Sequence, residues 1–328
     1  MKNFFVKHKD KILSGQKVLK EYDIFEEIDT RLSDSYLFDR ENNCVKLGYS
    51  RCKKIGFDNL LLYRFGTVSR DDETLIFVPQ VDEQIGDFIK RSQVFLNNPV
   101  LPDETPVIHL NFDIHEKIEA CIWLGNKYAY ETYDMYLKGI IPWDNERKRS
   151  TEFKRTGIFI GTSSIHIIEY SGTEAEHKHM VFSTPNYGNE VDCYIDLKKG
   201  YFRLGQNGSK IYHSGLKQDE SCSINVSCNS RDNQVFSCTN PGLILRRFEL
   251  CRNQGVIYFK SIDASLAKES RVMMLYTGDI AVQYFNEKSN QWHFVKDSIL
   301  FKDLHNVSLR AIMDTDDRIY ALILLKVI

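Results

Sequence analysis

The chain has 328 residues, 42% of them hydrophobic and 27% charged, with 43 basic residues against 45 acidic ones and a formal net charge of −2. Near-balanced charge excludes a protein built as a whole to hold polyanions, and no run of 18 apolar residues is present to form a membrane-spanning helix. The hydrophobic fraction is ordinary for a folded globular chain.

The first residues, MKNFFVKHKDK, offer only Phe4-Phe5-Val6 as an apolar stretch, too short for a secretory leader. Ile12, Leu13, Val18, Leu19, Phe25, Ile28 and Leu32 fall roughly at helical spacing, interrupted at Ser14-Gly15, and predict a helical arm or cap over residues 1–34. Next comes a hairpin, YLFDRENNCVKLGY from Tyr36 to Tyr49, with Asn42-Asn43 suited to a tight turn.

From there a strand, turn, strand, turn, strand pattern recurs about every 40 residues. The middle-strand anchors are Phe77, Trp123, Phe159, Phe202, Phe236, Met274 and Tyr320. The clearest copies open at Glu190, Ser223 and Ser261 and pass through Gly208, Gly242 and Gly278, while looser ones open at Leu60, Val107 and Arg149. The last copy stops after two strands, so the hairpin 36–49 is expected to pair with residues 306–328 and complete a ring. This predicts an all-β, seven-bladed β-propeller over residues 35–328, preceded by the short helical extension. A tandem β-sandwich is the alternative that short strands and frequent turns also permit.

The units resemble divergent WD40-type repeats at the level of architecture. Third strands such as Leu243 to Phe248 or Ile165 to Tyr170 stand where those repeats run up to their Trp-Asp dipeptide, although the Gly-His and Trp-Asp dipeptides are missing from every unit. The resemblance implies a rigid ring whose loops meet other macromolecules.

Eight cysteines are scattered without a CxxC pair and fall mostly within predicted strands, which suits a reducing, cytoplasmic setting. The sequons at Asn207, Asn225 and Asn306 are read as chance.

Several constellations bear on chemistry. His109, Asn111, Asp113 and His115 share one face of a predicted strand. His109 and His115 lie about 20 Å apart along it and cannot meet on one ion, so a hydrogen-bonded polar face is expected. Glu174, Glu176, His177 and His179 form a loop in which His177 and His179 are the metal-ligand candidates, without a third or fourth ligand in sequence. Arg246-Arg247 partly matches the Arg-Arg-Gly motif of phosphoinositide-binding propellers. Phe248 replaces the Gly, and strand alternation is expected to send the two arginines to opposite faces. Asp314, Asp316 and Asp317 are read as a turn. Arg147-Lys148-Arg149 with Lys154-Arg155 are read as a solvated loop rather than a nucleic-acid contact. No hydrolase, zinc or phosphate-loop motif is present, and no cofactor or catalytic residue is assigned.

The function expected from this reading is a non-enzymatic scaffold that presents loops to a protein partner. Two alternatives stand beside it. One is glycan binding or hydrolysis, which needs at least two carboxylates converging within about 5–9.5 Å beside an aromatic residue. The other is a structural subunit of a viral or phage particle, suggested by Asn-, Lys- and Ile-rich usage.

Overall fold

The computed structural model describes residues 17–326 apart from 56–59, 63–66, 72–73, 79–90, 97–106, 116–117, 143–144, 162–163, 172–177, 184–189, 212–221, 231–241, 264–269, 296–298 and 301–305. The chain divides into two units. One is continuous, Arg51–Cys251, and the other joins Met1–Ser50 to Arg252–Ile328.

The Arg51–Cys251 unit holds two seven-stranded sheets. The first runs Tyr201–Leu204, Glu190–Asp196, Val107–Ile114, Leu243–Arg252, Thr74–Val78, Thr67–Asp71, with Ser50–Lys54 also paired to Leu243–Arg252. The second runs Lys178–Ser183, Ser164–Ser171, Lys154–Ile160, Ile118–Gly125, Ser223–Ser230, Arg91–Leu96, Leu60–Leu62. Period-two alternation gives each sheet one apolar face. Phe77, Leu110, Phe112, Phe202 and Phe248 from the first sheet share a single buried cluster with Val94, Ile122, Ile158, Ile167 and Val226 from the second. Two sheets closed over one core make a β-sandwich.

The other unit repeats this logic. A sheet containing Tyr36–Asp39, Cys44–Leu47, Arg318–Lys326, Ser270–Thr277 and Ile299–Leu300, with Lys17–Tyr22 on Arg318–Lys326, faces one made of Gln254–Tyr258, Leu309–Asp314, Ala281–Asn286 and Gln291–Phe294. Val45, Leu47, Met274, Leu322 and Leu324 meet Ile257, Val282, Ala311 and Met313 in its core.

The seven-bladed propeller is therefore corrected to two β-sandwiches in tandem. Blades need consecutive strands to pair locally, whereas Val107–Ile114 lies between Glu190–Asp196 and Leu243–Arg252, which come far later in the chain. The repeat anchors are not equivalent either. Phe77 and Phe202 fill the core, while Phe159 lies on the opposite face of the second sheet, edge-on to Trp123 at 5.2 Å. The spacing of turns reflected a succession of short strands and not a repeated unit. The interaction-scaffold expectation drew its warrant from the ring of blades and falls with it.

The helical extension is corrected as well. Lys17–Tyr22 is a strand paired antiparallel with Arg318–Lys326, and Ile28 forms a bridge to Phe259. Apolar residues of a strand and of the turn after it had combined into an apparent helical spacing. Residues 1–16 lie outside the described residues. Among the described residues no helix is long and apolar enough to cross a membrane.

The hairpin at Tyr36–Asp39 and Cys44–Leu47 forms, with Asn43 at φ 50°, and touches the C-terminal strand where Val45 faces Ile319. Asp39 fastens its turn, accepting from the Asn42 backbone N–H at 3.1 Å, from its side chain at 2.9 Å, and from Lys46 at 2.5 Å. Burial opposes ionisation of Asp39, but Lys46 and Asn42 outweigh it and pull the carboxyl from 3.8 down to about 2. A folded-state pKa below the unfolded one stabilises the fold above the unfolded value, and the contribution is lost as pH falls through the folded value. Asp39→Asn is expected to cost about 1–2 kcal/mol at pH 7 and close to nothing at pH 2, read from urea unfolding at both pH values. An equal cost at the two would show that the carboxylate charge plays no part.

Candidate active site

The first sheet of the Arg51–Cys251 unit buries one face in the core, and its other face is polar along three adjacent strands. On Val107–Ile114, the residues Ile108, Leu110, Phe112 and Ile114 enter the core, which sends His109, Asn111 and Asp113 to the opposite side. On Glu190–Asp196, burial of Val191, Cys193 and Ile195 places Glu190, Asp192 and Tyr194 on that same side. Antiparallel register sets Glu190 opposite Asp113, Asp192 opposite Asn111, and Tyr194 opposite His109. From the other flank, Arg247 faces Asn111 and Glu249 faces His109.

A register shift between Leu245 and Arg247 decides where the arginines go. A bulge adds a residue to one strand and interrupts alternation. Arg246 donates through Nε to Asp113 Oδ2 at 2.9 Å and through Nη2 to the same oxygen, and Arg247 comes level with Asn111. The two arginines thus share the polar face, which corrects the expectation of opposite faces.

The side chains interlock. His109 Nε2 lies 2.5 Å from Asp192 Oδ1, its Nδ1 lies 3.1 Å from Glu249 Oε2, and its ring stacks on Tyr194 with centroids 4.2 Å apart. The Asn111 amide donates to Glu190 Oε1 at 3.0 Å and to Asp192 Oδ1 at 3.4 Å. Burial works against ionisation of Asp192. The hydrogen bond and charge of His109, with Asn111 and Arg247, outweigh it and hold the carboxyl below the ordinary value of 3.8. Burial, reinforced by the negative charge of Asp192, pushes the Tyr194 phenol up, so it stays protonated as a potential donor.

No family model and no curated protein matches this chain. Solved structures similar to it include a GlcNAcα1-4Gal-releasing endo-β-galactosidase from Clostridium perfringens, 7% identical over 79% of this chain and 73% of that one, with a TM-score of 0.42. The laminarinase catalytic domain from Thermotoga maritima is 7% identical over 62% of this chain and 98% of that one, with a TM-score of 0.43. Porphyranase B from Zobellia galactanivorans is 12% identical over 69% and 92%, with a TM-score of 0.39.

Of the residues expected from sequence, His109, Asn111 and Asp113 come together here, while His115 lies just beyond the strand and is exposed. Glu174, Glu176 and His177 lie outside the described residues. His179 is described only through its backbone, opposite Ile168, so the His177 and His179 metal candidates are not brought into the site. Asp314, Asp316 and Asp317 form a turn, with Asp317 Oδ2 accepting from the Asp314 N–H at 2.8 Å. Two members of the basic cluster lie over aromatic rings. The Arg147 guanidinium lies 4.2 Å from the Tyr128 ring centre, and that of Arg155 lies 4.2 Å from Trp123 and 4.7 Å from Tyr170. Trp292 belongs to an aromatic group in the other unit, 5.4 Å from Phe285 and 5.8 Å from Tyr258, with Arg310 over its ring at 4.3 Å.

Sequence reasoning missed Glu190, Asp192, Tyr194 and Glu249. A signal for the first three was present, since polar side chains at 190, 192 and 194 alternate with apolar Val191, Cys193 and Ile195. Pairing of that strand with Val107–Ile114 had no local signal.

Proposed function

We propose that this sheet face binds a glycan and hydrolyses a glycosidic bond through Glu190 and Asp192. The observation that carries the reading is the convergence of two carboxylate oxygens on one amide nitrogen. Glu190 Oε1 and Asp192 Oδ1 both accept from Asn111 Nδ2 and so lie within about 6.4 Å of each other. Carboxyl groups about 5–5.5 Å apart serve hydrolysis with retention of configuration, whereas inversion needs roughly 6.5–9.5 Å to admit a water between them. Retention is the outcome proposed, with the anomeric configuration of the product as its test.

Asp192, held ionised by its neighbours, suits attack on the anomeric carbon or stabilisation of the cationic transition state. Glu190, exposed at the end of its strand, suits proton transfer to the leaving oxygen and from the incoming water. Asn111 holds the pair in register. Arg246 and Arg247, both exposed, supply donors for sugar hydroxyls.

The test is a glycan-array screen followed by incubation with each bound glycan and mass spectrometry of the products, with anomeric configuration followed by NMR. The expected result is cleavage with retention, abolished in the Glu190→Gln, Asp192→Asn double variant while binding persists. Binding of no glycan, or cleavage that the double variant retains, would overturn the assignment.

A further inference from the structure

We infer that His109, Glu249 and Cys251 form a buried binding site for a divalent ion of the zinc class. One ligand atom from each, an imidazole nitrogen, a carboxylate oxygen and the Cys251 sulfur, lie within 4.8 Å of one another. All three residues are buried, at 5%, 6% and 2% exposure. The site rests on this cluster alone and not on the glycan reading.

The grouping of ligand atoms carries the argument. His109 Nε2 lies 2.5 Å from Asp192 Oδ1, and its Nδ1 lies 3.1 Å from Glu249 Oε2. At the second spacing an imidazole nitrogen and a carboxylate oxygen can both reach one ion at about 2.0–2.2 Å, and the Cys251 sulfur stands in the same group. A mixed nitrogen, oxygen and sulfur set is what zinc takes.

Two further features agree. Histidines that bind metals commonly donate their other N–H to a carboxylate, which fixes the ring, and Asp192 occupies that place. Burial of all three residues also keeps bulk water from competing for the ligand atoms. On binding, the Cys251 thiol gives up its proton to solvent and its sulfur bonds to the ion, with no change of oxidation state. Cys251 forms no disulfide that would prevent this.

The experiment uses the full chain, purified without chelators and freed of any affinity tag. Elemental analysis is expected to find about one zinc per chain, stripping by 1,10-phenanthroline to lower Tm, and added zinc to restore it. Cobalt loaded into the stripped protein should give a thiolate-to-cobalt charge-transfer band, lost in Cys251→Ser. Absence of bound metal together with no Tm response to zinc overturns the inference, and so does a wild-type cobalt spectrum without that band. The wild-type spectrum keeps the test valid should the variant misfold. None of these readouts depends on glycan cleavage, so failure of either assignment is seen separately.

Discussion

Replacing Glu190 by Gln is expected to lower kcat/KM on a cleaved glycan by about 10²–10⁴-fold, with KM changed little, because the amide keeps the size of the side chain and removes its exchangeable proton. Asp192→Asn should lose at least as much, since it removes the anion that His109 and Asn111 are arranged to hold. The acid limb of the pH profile gives an independent check. The folded-state carboxyl of Asp192 is depressed, so it stays ionised as pH falls, and its limb belongs below the ordinary aspartate value of 3.8. Asn111→Ala removes one of the groups that depress it and should move the limb upward. A limb near neutrality that ignores Asn111 would show that another group controls the reaction. Rates are measured on initial product release over pH 3 to 9.

The second large effect is on stability. Phe112→Ala is expected to cost about 3–5 kcal/mol, read from urea unfolding of the full chain in the transition of the Arg51–Cys251 unit. Phe112 is fully buried on the inner face, in the strand that carries Asn111 and Asp113 on its outer face. The lost area and the cavity therefore act together, and the polar row directly outside loses its support. Asn111→Ala, by contrast, should unfold within about 1 kcal/mol of wild type, because the carboxylates it bonds, Glu190 and Asp192, keep access to solvent when it is gone. If Phe112→Ala lost less than Asn111→Ala, the assignment of inner and outer faces would be reversed.

How much of this was legible in sequence depends on the range of the interaction. Alternation revealed the strand at Val107–Ile114 and its polar side, because the period of two is written in consecutive residues. It says nothing about which strand lies alongside, and the partners here come from the distant segments Glu190–Asp196 and Leu243–Arg252. The site exists only once those three strands are paired, which is why half of its residues passed as ordinary strand positions. Arg246 and Arg247 show the same limit, since alternation separates them until a bulge brings them together. The segment YAYETYDMY, rich in strand-favouring tyrosines, forms a helix, Lys127–Leu137. Its signals were local but weaker than the β-propensity of its tyrosines. Asn126 caps the first turn by accepting from the Ala129 N–H at 3.0 Å, and Ala129 and Tyr133, four residues apart, are buried with Phe153.

The division of one sandwich by the other bears on synthesis. The strands at Lys17–Tyr22 and Cys44–Leu47 are made before the Arg51–Cys251 segment, yet both pair with Arg318–Lys326, which is made after it. The whole Arg51–Cys251 segment must be made in between, which takes about 10–40 s at about 5–20 residues per second. During that interval the inserted sandwich has all its own strands and is free to fold, while the early strands wait with open edges. Val18 and Leu19 remain 40% and 41% exposed even after pairing. Slow translation, or a chain cut short before Arg318, therefore leaves a sticky β-edge beside a finished domain, and it is there that a chaperone would be needed.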